Sequence, residues 1–262
     1  MTKQFKTFLL SLLTPGLGYF YKGHHQSFYK TIIVFFSLLT AGVILRLVTT
    51  FWGLVGIVLL IVALYVFTTI HAIVKAEDKR QSRKGNWSLS LCLTLCFLLP
   101  ASLSFANRRT VMGFDIMSMN VPVMQPALLQ GDRFLVDTWI EKEELKRGTI
   151  IVHFFSEQQG LYLNRIVAVG GDLIAIQNGF LIINGQLQPE PYVLASNATK
   201  PESRNMKFLR IPKGHYFVMG DNRDASFGDS RFSGTITLKN IVAIPTEIIS
   251  SPEKRRVGRS IQ

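Results

Sequence analysis

Cysteine is nearly absent from this chain of 262 residues. The two cysteines, Cys92 and Cys96, fall within one apolar run. Two cysteines four residues apart on one helix are poorly placed for disulfide geometry. The sequence also lacks groups of His, Cys, Asp and Glu at metal-ligand spacing, and it lacks a glycine-rich loop that opens a helix to hold phosphate. We therefore expect no disulfide, no metal ion and no cofactor.

Acidic residues are scarce. The chain has 17 Asp and Glu against 29 Lys and Arg, a formal net charge of +12. Most of the excess lies in residues 1–106, where ten Lys and Arg face only Glu77 and Asp78. Nucleic-acid binding calls for a basic stripe with aromatic side chains on a soluble face, so we expect no nucleic-acid partner. The asymmetry instead indicates membrane topology.

Long apolar runs fill the first 106 residues. Residues 51–74 contain no Asp, Glu, Lys or Arg, and 24 residues are enough for a tilted span. We predict transmembrane helices at about 31–48, 51–74 and 87–106. Residues 8–20 are too short to span and are interrupted by Pro15 and two glycines. They predict a re-entrant or interfacial segment.

The segment Lys75 to Lys84 sets the predicted orientation. It holds five Lys and Arg against two acids, and the positive-inside rule places such a loop in the cytoplasm. The C-terminal half would then lie on the extracytoplasmic side, held by a multi-pass anchor in contact with membrane lipids. If the source is a bacterium, this membrane is the inner (cytoplasmic) membrane.

The C-terminal half has the patterns of a β domain. Short runs rich in Val, Ile and Phe alternate with turn signals, among which Asn178-Gly179 and Asn184-Gly185 are typical of tight hairpins. We predict a β domain over residues 107–250, with an inserted lobe at about 186–213. Residues 251–262 are predicted to form a basic tail that either keeps the chain soluble or contacts anionic lipid.

Four short stretches carry family motifs in a fixed order. They are residues 123–128 (VMQPAL) with Gly131 and Asp132, residues 147–152 (RGTIIV), residues 162–167 (YLNRIV) with Gly171 and Asp172, and residues 219–231 (MGDNRDASFGDSR). Together they resemble the type I signal peptidases, membrane-anchored serine proteases that use a Ser/Lys dyad to cut leader peptides from exported proteins. The resemblance implies a multi-span helical anchor followed by a mainly antiparallel β domain that forms a partly open β-barrel.

The resemblance also assigns site residues. It implies a structural motif made of Gly220, Asp221, Asn222, Arg223, Ser226, Asp229, Arg231 and Gly234. It implies peptide-binding positions at Met124, Pro126, Tyr162 and Arg165. The stretch from Ser226 to Asp229 is one residue longer than in the resembled family.

Two departures from the family pattern bear directly on the chemistry. The nucleophile position holds Val123, which has no oxygen to attack a carbonyl, and the base position holds Asn164, whose amide cannot accept a proton near neutral pH. A Ser/Lys pair works because burial lowers the lysine pKa until its neutral amine can deprotonate the hydroxyl. Losing both members leaves at most oxyanion stabilisation and binding.

Ser118 is the alternative nucleophile, because it too precedes a methionine. On an extended chain at about 3.3 Å per residue it would lie about 16 Å from position 123. Only a bulge or a shifted register would bring it to the site, so we expect Ser118 to be structural. His153 and His215 lie in apolar strand patterns and are expected to be structural as well.

Two functions from different classes follow. In the first, the chain holds an extended segment of an exported protein by strand addition without cleaving it, and assists export or a pilus-type assembly machinery. In the second, it is an active leader-peptide endopeptidase whose nucleophile has moved, for example to Ser118.

Overall fold

The computed structural model describes residues 3–74, 87–155 and 160–261. The chain divides into two compact units, Met1–Gly113 and Phe114–Gln262. The boundary expected after residue 106 lies at Gly113 instead, because a short helix follows the last apolar helix within the first unit.

The described part of the first unit is helical. Its helices are α1 (Lys3–Leu13), α2 (Leu17–Tyr21), α3 (His25–Ile44), α4 (Phe51–Val74), α5 (Trp87–Ala106) and α6 (Arg108–Val111). Two of them, α3 and α4, are long and apolar enough to cross a membrane, as judged by length and composition. The basic segment that sets the predicted orientation, residues 75–84, falls within the stretch that is not described.

The bounds of α4 and α5 match the predicted helices, whereas α3 is shifted toward the N-terminus. It begins at His25 and ends at Ile44, not near residue 48. The early end has a local cause, since Arg46 adopts the left-handed conformation with φ of 54°. A left-handed residue just beyond the last turn is a common way to terminate a helix.

Residues 8–20 form most of α1 and α2, which are separated by a turn at Thr14–Gly16. Gly16 has φ of 79°, and a Cβ at this position would lie 3.0 Å from the Thr31 side chain. The turn therefore needs glycine both for its backbone conformation and for its close approach to α3.

The second unit consists mainly of antiparallel strands in two sheets. The strands are β1 (Phe114–Ser118), β2 (Arg133–Asp137), β3 (Ile150–His153), β4 (Tyr162–Val169), β5 (Leu173–Gln177), β6 (Phe180–Ile183), β7 (Gln186–Leu187), β8 (Met206–Arg210), β9 (His215–Met219), β10 (Ile236–Thr237) and β11 (Ile241–Ser250). The larger sheet has the order β1-β2-β11-β3-β4-β9-β10, and the smaller sheet has the order β7-β6-β5-β8. Two short helices, α7 (Pro201–Arg204) and α8 (Ser230–Ser233), lie between strands.

Two Asn-Gly turns build the smaller sheet. Asn178 and Gly179 connect β5 to β6, and Asn184 and Gly185 connect β6 to β7. All four residues have positive φ, between 53° and 89°, as type I′ hairpin turns require. Both predicted hairpins are confirmed.

The polar segment 186–213, expected as an inserted lobe, supplies both edges of the smaller sheet. Its strands β7 and β8 pair with β6 and β5 respectively. The segment between them carries α7 and a 3-10 turn at Ala195–Asn197.

Residues 251–261 pack against the second unit, which corrects the expectation of a solubilising or lipid-contacting tail. Ile248 donates its N–H to the Arg259 carbonyl at 3.0 Å, and Ile261 donates to the Thr246 carbonyl at 2.8 Å. The Ile261 side chain packs against a buried cluster of the larger sheet. Arg256 donates to Asp132 at 3.0 Å. Strand-like pairing along β11, apolar burial and a buried ion pair together offset the entropy of ordering the tail.

Candidate functional site

The second unit contains a cleft of about 540 Å³ with mostly apolar walls. It is lined by residues 117–123, Phe134, Val152, residues 161–164 and residues 225–228. These residues come from the end of β1, the 3-10 turn after it, β2, β3, the start of β4 and the loop before α8. The cleft brings together Val123, Asn164 and Ser118, the three positions singled out by the sequence as dyad equivalents or alternative nucleophile.

Val123 presents only methyl groups to this cleft. It lies in the 3-10 turn Pro122–Met124, and its side chain packs on the buried cluster that includes Met124 and Phe134. Its backbone carbonyl accepts the N–H of Asn222 at 3.0 Å. Hydrogen bonding and apolar packing thus hold the turn in place without a nucleophilic atom at this position.

Asn164 is buried, and its side chain makes a hydrogen bond through each end of the amide. Its Oδ1 lies 2.9 Å from His153 Nε2, and its Nδ2 donates to Ser226 Oγ at 3.3 Å. Burial lowers the pKa of His153, and the hydrogen bond to Asn164 opposes this effect in part. A neutral imidazole donates through one nitrogen, so Nε2–H donates to the amide oxygen. The result is an uncharged His153–Asn164–Ser226 chain at the place where the resembled family has its base.

Ser118 ends β1 and is exposed at the wall of the same cleft. It pairs in register with Arg133 of β2. Ser118 therefore lies on the wall of the same cleft as Asn164. After β1 the chain bends at Val121 and enters the 3-10 turn that carries Val123.

The loop before α8 is held by one buried ion pair. Arg231 Nη2 lies 2.9 Å from Asp229 Oδ2, and both side chains are almost fully buried. The same guanidinium donates to the carbonyl oxygens of Arg223 at 2.6 Å and Ser226 at 3.1 Å. Asp229 also accepts the N–H of Arg231 as the N-cap of α8. This pair fixes the backbone that presents Ser226 to Asn164.

Glycines allow the close packing of this loop. A Cβ at Gly220 would lie 2.6 Å from Ser226 Cβ and 2.7 Å from the Val123 carbonyl oxygen. A Cβ at Gly228 would lie 2.2 Å from the Tyr162 ring. The extra residue between Ser226 and Asp229 is thus accommodated on the face of Tyr162. Gly234 follows α8 with φ of 79°.

A second ion-pair network lies behind the cleft. Arg165 donates to both carboxylate oxygens of Asp221, at 2.8 and 2.7 Å, and its guanidinium lies 4.1 Å from the Tyr192 ring centroid. Arg223 donates to Glu190. Glu190 and Tyr192 belong to the segment 186–213, so this network ties that segment to the loop after β9.

Three of the four expected peptide-binding positions are placed elsewhere. Met124 is fully buried in the core, and Arg165 is buried in its pair with Asp221, so neither side chain can reach a ligand. Pro126 is half-buried and lies outside the cleft lining. Tyr162 does line the cleft and stacks on His153, with ring centroids 6.0 Å apart.

The contact between His153 and Asn164 was not predicted from the sequence, which assigned His153 only to the strand. In the β3–β4 ladder His153 pairs with Tyr162, so Asn164 is its diagonal neighbour on the same face. Diagonal pairs across antiparallel strands are within reach of long side chains. A polar residue in each of two adjacent apolar strands was the available signal. Among the described residues no group of three or more His, Cys, Asp or Glu could hold a metal ion.

Comparison with known proteins agrees with the motifs. The profile of the family described as "Signal peptidase, peptidase S26" matches residues 89–249. Signal peptidase I P of Bacillus subtilis subsp. natto is 28% identical over 190 residues, which cover 68% of this chain and 96% of the relative. Signal peptidase I of Bacillus licheniformis is 34% identical over 125 residues, which cover 45% of this chain and 67% of the relative. A crystal structure of a signal peptidase I from Enterococcus faecalis V583 is 27% identical, covers 38% of this chain and 94% of its own, and has a TM-score of 0.33.

Proposed function

Because the chain belongs to the signal peptidase family, peptidase S26, we propose that it holds signal peptides of exported proteins in its cleft without cleaving them. One observation carries the proposal. The cleft is open and apolar, yet its nucleophile position is Val123 and its base position, Asn164, is hydrogen-bonded between His153 and Ser226. Binding needs only the walls of the cleft, whereas cleavage needs an activated nucleophile.

The edge of the larger sheet supports peptide binding. β1 is the outermost strand, and its C-terminal end lines the cleft. An edge strand has unpaired backbone N–H and C=O groups on its outer side, and an extended peptide can add to them as a further strand. Side chains of such a peptide would alternate between solvent and the apolar wall formed by Met117, Phe134 and Leu161.

The proposed setting is a membrane. In this proposal α3, α4 and α5 span the bacterial cytoplasmic membrane, and the second unit works at its extracytoplasmic face, where exported proteins emerge. Membrane lipids and an export or pilus-type assembly machinery are the proposed partners beside the bound peptide.

The test is to measure binding and cleavage on the same sample. The full chain in detergent is mixed with a fluorescent leader peptide that ends in Ala-x-Ala. Anisotropy should report saturable binding, while mass spectrometry should show intact peptide after long incubation.

Leu161→Asp, at an exposed position in the cleft wall, should weaken binding about tenfold or more. Leu187→Asp, also at an exposed position but on the smaller sheet, is the matched control and should bind like the parent. Equal loss in both variants, or no binding by the parent, would contradict the proposal.

An active peptidase is the second candidate function, and the position of Ser118 in the same cleft favours it. In that case the peptide would be cleaved, and cleavage would disappear in Ser118→Ala while binding remained. Cleavage that persists in Ser118→Ala would point to a contaminating protease.

A further inference from the structure

The first helix, α1, exposes its apolar face and buries its polar face. Phe5, Phe8, Leu9, Leu12 and Leu13 are between 39% and 55% exposed. The opposite face carries Thr7 and Ser11, and Thr14 follows them in the turn; none of these three hydroxyl residues has any exposed surface. A helix at the surface of a water-soluble protein buries its apolar face and exposes its polar face. The arrangement in α1 is the reverse.

The same inversion continues over α3 and α4. Ile33 of α3 and Leu59 and Phe67 of α4 are each more than 60% exposed, whereas Thr31 and Thr68 are buried. Helices that pack inside a bilayer commonly place small and hydroxyl residues between them and apolar residues toward the lipid. The apolar outer face of α1 therefore belongs to the same kind of surface as the faces of the two long apolar helices.

The chain reverses direction after α1. The turn at Thr14–Gly16 brings α2 back along α1, because a Cβ at Gly18 would lie 2.3 Å from Ser11 Oγ and 3.0 Å from Thr7 Cγ2. Just beyond α2, Lys22 Nζ donates to the Ile73 carbonyl at 3.1 Å, in the last turn of α4. The two ends of the α1–α2 segment thus lie on one side of the helical unit, at the C-terminal end of α4.

Contacts with α3 and α5 show how far the Thr14–Gly16 turn lies from the ends of these helices. Thr14 Oγ1 lies 3.4 Å from Thr94 Oγ1, and Gly16 packs against Thr31. Thr94 is seven residues after the start of α5, and Thr31 is six residues after the start of α3. At a rise of about 1.5 Å per residue, these positions lie about 9–11 Å below the helix ends. That depth is about one third of a hydrocarbon core of about 30 Å.

We propose that residues 3–22 form a re-entrant hairpin that enters and leaves the bilayer on the side where α4 ends, with its outer face in contact with lipid acyl chains. A helix lying in the interface would present a polar face to water, whereas the polar face of α1 is packed inside the unit. The proposal rests on the proposed membrane placement of α3, α4 and α5, and it adds the hairpin as a fourth element within the bilayer.

Collision measurements on nitroxide labels test the depth. In a Cys92→Ala, Cys96→Ala background, single labels are placed at Leu12→Cys, Leu59→Cys and Gln4→Cys in the full chain, reconstituted in phosphatidylcholine and phosphatidylglycerol vesicles. Leu12 and Leu59 should collide with oxygen and be shielded several-fold from a water-soluble nickel chelate, while exposed Gln4 should show the opposite. Nickel access at Leu12 with shielding at Leu59 would overturn the hairpin. Nickel access at both would overturn the membrane placement itself.

Labelling from one side tests the reversal. Gln4→Cys and Gln26→Cys, both exposed, should react with a membrane-impermeant maleimide from the same side of the membrane. Leu45→Cys, just beyond the far end of α3, is the control and should react from the other side. Labelling of Gln4 and Gln26 from opposite sides would show that the segment spans, and the re-entrant hairpin would be wrong.

Discussion

His153 Nε2 and Asn164 Oδ1 lie 2.9 Å apart, and both side chains are buried. In the resembled family the second position is a lysine, whose amine must lose a proton to act. In this chain the position is held by a neutral amide that accepts from a neutral imidazole and donates to Ser226. The base position is thus part of an uncharged chain of hydrogen bonds from His153 through Asn164 to Ser226. The loop that carries Ser226 is held by the buried Asp229–Arg231 ion pair.

Restoring both dyad members should create peptidase activity. We expect Val123→Ser with Asn164→Lys to cleave an Ala-x-Ala leader peptide that the parent leaves intact. The reason is that Ser226 and the Asp229–Arg231 pair remain in place beside position 164, and burial lowers the pKa of a lysine. Cleavage is measured by mass spectrometry of the purified full chain.

Each single variant is a control for this double variant. A serine without a base, or a base without a nucleophile, should give no cleavage above the parent. If the double variant binds the peptide as the parent does but does not cleave it, the cleft no longer presents the scissile bond to position 123.

His153 should make the second unit less stable in mild acid. Burial lowers its pKa in the folded state, while in the unfolded chain the pKa is about 6.5. The unfolded state therefore binds a proton that the folded state does not. Stability should fall as the pH drops below about 6.5, with a slope of up to about 1.4 kcal/mol per pH unit from this group.

Urea unfolding of a fragment beginning near residue 110 measures this slope, with Trp139 as its only tryptophan. His153→Gln keeps a donor for Asn164 and cannot titrate, so it should flatten the curve between pH 5 and about 6.5. An unchanged slope in His153→Gln would assign the pH dependence to other groups.

Local signals in the sequence were sufficient for part of the fold. The Asn-Gly hairpins follow from residues adjacent in the chain, and the bounds of α4 and α5 follow from long runs without Asp, Glu, Lys or Arg. By contrast, β8 is a mostly exposed strand with little apolar pattern, and it forms because β5 offers it an edge. Such features depend on partners far away in the sequence, which periodicity does not encode.

The site shows the same division. Val123 and Asn164 line one cleft, whereas Met124 and Arg165 are buried. A linear motif identifies which residues are near a site without telling which way each side chain points. The link from His153 to Asn164 required the β3–β4 register.

Asp229 should be important for stability. Asp229→Ala leaves the buried Arg231 guanidinium without its carboxylate and removes the N-cap of α8. Removing one partner of a buried ion pair costs about 3–5 kcal/mol, which urea unfolding of the same fragment would detect. Ser118→Ala, at an exposed position of the same unit, should change the free energy of unfolding by less than about 1 kcal/mol. Similar unfolding curves for Asp229→Ala and the parent would mean that the loop before α8 is not held by this pair.

Arg256 and its neighbour Arg255 allow a direct comparison, because Arg256 forms a buried ion pair and Arg255 an exposed one. Arg256 is largely buried and lies 3.0 Å from Asp132, which has no exposed surface, and it also donates to the Ala127 carbonyl at 2.7 Å. Arg255 pairs with Glu253 at 2.9 Å but is 77% exposed. Arg256→Met should therefore cost about 3–5 kcal/mol by leaving Asp132 buried and unpaired. Arg255→Met should cost less than about 1 kcal/mol because water and salt screen the exposed pair.

Arg256→Met should also weaken peptide binding, because Ala127 follows the turn that carries Val123. Binding is measured by anisotropy without urea, at a temperature where the variant remains folded. Equal and small effects of the two substitutions would show that the C-terminal segment is not tied to the site turn through Arg256.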